Sequence, residues 1–150
     1  MIGKYLEDFQ EGEKYITPSR TIYLHDITQF CNLVWFNSSI FFDNEYIEEK
    51  TVWEKNVVPG PFLISLAVGL FIKMGIYEKT IISLLGIENM KFYNPLVAGE
   101  TMHAEVEILS TRKSKKDPKK GIMHLQFKIK NVNNDLIMTF EMYHMLKCKK

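Results

Sequence analysis

A proline-flanked apolar run with helical spacing on two sides constrains this chain more than any other part of it. Pro59-Gly60-Pro61 closes an irregular stretch, and proline is tolerated in a helix's first turn because its missing N–H would have no partner there. A helix is therefore expected from about Pro61. Leu63, Leu66, Ala67, Leu70, Phe71 and Met74 recur at spacings of three and four, while Ile64 and Val68 make the opposite side apolar as well. Such a helix has to be enclosed by something. The apolar stretch 61–72 is well short of the roughly 18 residues that cross a bilayer, and Lys73 follows it, so no membrane partner is expected.

After Lys79 the period changes from helical to alternating. Met102, Ala104, Val106 and Ile108 alternate with Thr101, His103, Glu105 and Glu107, which describes a strand with one wet face. Met123, Leu125, Phe127 and Ile129 alternate in the same way with His124, Gln126, Lys128 and Lys130. A further strand is expected over 136–146 after the turn-rich 131–135, and an earlier one over 81–92. Ahead of the central helix, Ile27, Phe30, Cys31 and Val34 predict a short helix over about 26–33, and Asp43 caps a brief second one. The expected class is α+β, with a long central helix wrapped by a curled antiparallel sheet.

No linker, repeat or low-complexity tract divides the sequence, so residues 1–150 read as one domain, long enough to bury a core without staples. A net charge of +1 gives no general attraction to nucleic acid. Cys31 and Cys148 have neither metal-type spacing nor the density of a disulfide scaffold, and both read as ordinary thiols. Acids among the first residues argue against a secretion signal, so a cytoplasmic location is expected.

Several segments, in this order and spacing, carry a resemblance. They are Asp26-Ile27 with Phe30, then Asp43 with Tyr46, then Gly60 followed by Ser65-Leu66-Ala67, then 92–101, and finally 121–141 with Asn131 and Met138-Thr139-Phe140-Glu141. The chain resembles the MaoC-like, or R-specific enoyl-CoA hydratase, family over nearly its whole length, which implies a single hot-dog fold. Members of that family add water across the double bond of a 2-enoyl thioester, or remove it. The resemblance implies an aspartate and, five residues later, a histidine that together hold and deprotonate a water and protonate the neighbouring carbon. Here the aspartate position holds Phe36 and the histidine position Phe41. Neither ring can exchange a proton. A positioned general acid or base is worth roughly 100- to 10,000-fold in rate, so the shared chemistry should be weak or absent.

What the resemblance leaves in place is binding. It assigns the Gly60 N–H, at the leading end of the central helix beside Pro61, to the thioester carbonyl, and a helix N-terminus has free donors and a positive partial charge suited to that role. Ser65 matches a pocket serine, although a helical serine also bonds back to its own turn. Phe36 and Phe41 either line a greasy acyl pocket or fill it. Asn37 and Ser38 either hydrogen-bond a ligand or serve local backbone. The expected ligand is an acyl-CoA, with no resident cofactor. Expected partners are a second copy or a catalytically competent MaoC-like subunit, and no nucleic acid. The alternative is an active hydratase, dehydratase or acyl-CoA thioesterase that uses substitutes such as Asn37, Ser38, Ser65 or Asp43.

Two remaining features have plainer readings. His103 and His124 fall on polar strand faces that could be neighbours, but without a third ligand they read as solvent-facing, and no metal is expected. The basic segment 112–120 reads as a solvated hairpin tip, or as an attractor for coenzyme A phosphates.

Overall fold

A computed structural model describes residues 3–150, and the first two residues of the acid-bearing N-terminus lie outside the described part. After a 3-10 turn at Leu6–Asp8 come β1 (Lys14–Ile16), β2 (Arg20–Thr21), α1 (Leu24–Val34), α2 (Ser39–Phe42), α3 (Asn44–Lys50) and α4 (Gly60–Lys73). Four long strands follow: β3 (Ile81–Phe92), β4 (Thr101–Lys113), β5 (Lys120–Asn131) and β6 (Leu136–Lys147). They form one antiparallel sheet in the order β1-β4-β5-β6-β3, with β2 also on β4. No helix among the described residues is long and apolar enough to cross a membrane.

The strand boundaries follow from alternation. Along β4, β5 and β6 every second side chain is buried, and those residues form the floor on which α4 rests. Phe71 is the centre of the packing: its ring meets Tyr15, Tyr77 and Phe127 edge-on at 5.6, 5.3 and 5.7 Å. Phe127 in turn stacks on Phe140 at 4.8 Å. Such pairs add to the transfer free energy of burying the rings, which at about 25 cal/mol per Å² dominates the stability of a core like this.

The curled sheet wraps α4 as expected, and it buries the sides of the helix unequally. Leu63, Leu66, Ala67, Leu70 and Phe71 are buried, Ile64 and Val68 are only half-buried, and Pro61, Ser65, Gly69 and Ile72 lie exposed along one stripe. The sheet curls around one side of the helix and does not close. Gly69 and Ser65 make that stripe tolerable in water, since only Ile72 presents a large apolar surface there.

β3 departs from its neighbours. It pairs with β6 on one edge through three register shifts, and its other edge has no strand partner among the described residues. Ile82, Leu84, Leu85, Ile87, Met90 and Phe92 are all exposed along it. A long apolar edge is an open template for another strand.

One buried group makes the stability of the fold depend on acid. His144, on the inward face of β6, is buried against the edge of the Tyr77 ring, and neither its Nδ1 nor the Tyr77 hydroxyl has a hydrogen-bond partner. Burial pushes the imidazole down from 6.5 to about 4. The unfolded chain therefore takes up the proton first. The stabilisation is fully present above about pH 6.5 and is lost as pH falls toward 4. Urea denaturation across this range should show a loss of roughly 3 kcal/mol from this group, and His144→Leu should flatten that limb of the curve. An unchanged slope in the variant would mean that another group controls acid unfolding.

Candidate functional site

The site is assembled at the leading end of α4. Trp35 ends α1 in the left-handed conformation, with φ 59°, and turns the chain so that Phe36 N–H donates to Cys31 O at 2.8 Å. Phe36 then lies over Phe41 of α2, their rings stacked with centroids 5.1 Å apart. Phe30 bridges from this pair to α4: it meets Phe36 edge-on at 6.4 Å and stacks on Phe62 at 4.5 Å. Four rings thus run from α2 to the first turn of the central helix.

Beside this stack is a cavity of about 370 Å³, lined by Phe41 and Ile40 from α2, Trp53, Val57 and Val58 from the loop that follows α3, Gly60 and Leu63 of α4, Phe92 at the end of β3, and Tyr93 and Leu96 after it. That volume lies in the usual range for a small-ligand pocket. The loop 51–59 is held against 94–98 by a bridge between Val57 and Val97 and by donation from Val58 N–H to Leu96 O at 2.8 Å. No carboxylate, imidazole or amine among the described residues lines the cavity.

Gly60 has two roles there. A Cβ on it would come within 2.8 Å of Phe92 Cζ, so glycine lets the last ring of β3 close over the helix end. Of the first-turn donors, Pro61 has none, and Phe62 and Leu63 N–H donate to Pro59 O at 3.0 and 3.1 Å. That leaves the Gly60 N–H, which as the first helical residue has no partner within the helix. The arrangement can enclose an apolar chain and present one backbone donor. Tyr93 contributes a phenol, and among the described residues no carboxylate or imidazole lines the cavity to act with it as an acid–base pair.

The residues singled out from sequence divide into two groups. Phe41 and Gly60 line the cavity, with Phe36 stacked behind Phe41 and Pro61 next along the helix. Asn37 and Ser38 are exposed on the connection between α1 and α2. Ser65 is outside the cavity: its hydroxyl donates to Pro61 O at 3.2 Å, and it borders a separate groove with Arg20 and Lys73. Asp43 is a helix cap, its Oδ1 accepting from Tyr46 N–H at 3.0 Å. His103 and His124 are not neighbours, because His103 faces Lys130 across the β4–β5 ladder and His124 faces Ser110. The basic hairpin sits where β5 begins, whereas the cavity is near Phe92, opposite Met138 at the far end of the sheet. At ~3.3 Å per residue the two are on the order of 30 Å apart within one chain.

Trp53, Phe92 and Tyr93 were not singled out as pocket residues from sequence. The only local signal was the proline-bounded 59–61 and 94–96, which marks two loops but not that they meet.

Comparison with known proteins agrees with the fold. The whole chain superposes on 98% of a monoamine oxidase regulatory protein from Archaeoglobus with a TM-score of 0.91 and 24% identity. It covers 99% of a MaoC-like dehydratase from Rhodospirillum rubrum, with 99% of this chain matched, a TM-score of 0.86 and 19% identity. No protein-family model matches the chain. Over 113 residues, 75% of its length, the sequence is 34% identical to the protein MaoC of Klebsiella aerogenes. The chain belongs to the MaoC-like hot-dog family. It spans 32% of the length of that MaoC protein, so the relative carries more than this one unit. Within the MaoC-like frame the stacked Phe36 and Phe41 stand where the resemblance places the acid and base, and α4 is the central hot-dog helix.

Proposed function

We propose that this MaoC-like chain binds an acyl-CoA thioester with little or no hydratase activity of its own. The observation that carries the reading is the Phe36–Phe41 stack at 5.1 Å beside an apolar cavity that still has a free Gly60 N–H. The greasy wall suits an acyl chain, and the helix N-terminus suits the thioester carbonyl. The alternative, turnover through substitute groups, has less behind it. Asp43 is engaged in its cap and Ser65 points away from the cavity. The exposed β3 edge supports a second element of the proposal, that the chain works as a pair, with itself or with a MaoC-like subunit that has the acid and base.

The test is calorimetric titration of the whole chain with butyryl-CoA, run beside crotonyl-CoA hydration and butyryl-CoA hydrolysis assays. Saturable binding without turnover above buffer is expected. Absence of binding would remove the thioester role, and turnover in the isolated chain would establish the enzymatic alternative.

A further inference from the structure

On the outer face of the sheet, outside the cavity, Glu88 of β3, His124 of β5 and Glu141 of β6 converge so that one ligand atom from each lies within 4.8 Å of the others. Register explains how they meet. Glu88 and Glu141 are direct partners in the β3–β6 ladder, and His124 lies diagonally across β5 from Glu141, whose own partner there is Gln126. Like charges directly opposite one another on paired strands destabilise a sheet. No lysine or arginine pairs with either carboxylate among the described residues.

The histidine is held in place by its ring. Its ring stacks on Tyr143 at 4.1 Å and 11°. Its Nε2 is out of reach of solvent and 2.7 Å from Glu141 Oε1, yet makes no hydrogen bond. Adjacent donor atoms around a tetrahedral metal with bonds of ~2.1 Å stand ~3.4 Å apart, so the pair has to open by less than an ångström to admit an ion. The carboxylates are oriented in turn: Tyr143 Oη donates to Glu88 Oε1 at 2.7 Å, and Asn89 Nδ2 donates to Glu141 Oε2. Ligands steadied by outer hydrogen bonds are the usual construction of a metal site.

We infer that Glu88, His124 and Glu141 form a binding site for a divalent first-row transition ion of the Zn²⁺ class, which ties β3, β6 and β5 together. One imidazole nitrogen and two carboxylates suit Zn²⁺ or its neighbours, whereas Mg²⁺ prefers an all-oxygen shell. The ion would replace the Glu88–Glu141 repulsion with shared attraction and fasten the edge strand to the sheet. The site is independent of the acyl-thioester reading.

The experiment uses the whole chain after chelator treatment and dialysis, titrated calorimetrically with ZnCl₂ and, separately, MgCl₂. One Zn²⁺ per chain is expected, with a higher Tm in its presence. His124→Phe, which keeps the ring stack and removes the nitrogen, should weaken binding beyond the roughly 10- to 100-fold typical of residues one shell further out. Glu141→Gln should do the same without altering side-chain shape. His103→Phe, on the same face but outside the cluster, should leave affinity unchanged. Absence of Zn²⁺ binding in the parent chain would overturn the inference and reduce the cluster to a His124–Glu141 ion pair. Equal affinity in His124→Phe, an equal loss in His103→Phe, or Mg²⁺ binding as tightly as Zn²⁺ would also overturn it.

Discussion

Replacing Phe36 with Asp and Phe41 with His together is expected to raise crotonyl-CoA hydration by at least about 100-fold over the parent chain, read as loss of the conjugated thioester's ultraviolet absorbance. The two rings already face each other at 5.1 Å, so the new carboxylate and imidazole would meet beside the cavity with a water between them. Folding should survive. Phe36 is 37% exposed, which spares the aspartate full desolvation, and the main loss is its edge contact with Phe30. Each single variant should gain far less than the pair, because an acid and a base acting as one unit are strongly non-additive. Far-ultraviolet circular dichroism checks that the double variant is folded. A folded double variant with the parent rate would show that the cavity is not where an enoyl thioester reacts.

Charging β3 should dissociate the pair that its edge is proposed to form. The parent chain is expected to sediment at twice its monomer mass, and Leu84→Lys with Leu85→Lys at the monomer mass. Leu85 lies in the register shift between Leu84 and Gly86, and both leucines are about half exposed in the single chain, at 50% and 47%. Lysine on an edge strand is a natural block to pairing, because joining the edges would strip water from several ammonium groups at once. Loss of self-association should be at least about 100-fold in Kd, or roughly 3 kcal/mol. A parent chain that sediments as a monomer would end the homodimer proposal and leave pairing with a different subunit to be sought. Dimerisation unaffected by both lysines would move the contact away from β3.

The fold could be read from the sequence where the signal was local. Alternation located β4 and β5, although β4 runs on to Lys113, and the turn-rich 131–135 located the start of β6. β1, β2 and the four-residue α2 gave no such signal, being too short to show a period. That Phe36 and Phe41 share one segment was readable from spacing alone, whereas the stacking of their rings was not. His144 looked like any other residue of an alternating strand until the structure put it on the buried face without a hydrogen-bond partner for Nδ1.

By itself the sequence determined that an apolar helix starting near Pro61 would lie on one-sided strands, and that Phe36 and Phe41 stand five residues apart on one segment. Both are properties of neighbours along the chain, set by periodicity and by backbone chemistry at proline and glycine. Only the tertiary structure decided that α4 keeps an open stripe, that Trp53 and Phe92 wall the Gly60 cavity, and that Glu88, His124 and Glu141 converge. These depend on loop contacts and cross-strand register between residues up to dozens of positions apart. A one-residue slip in register sends every side chain of a strand to the other face, so no local pattern could have supplied them.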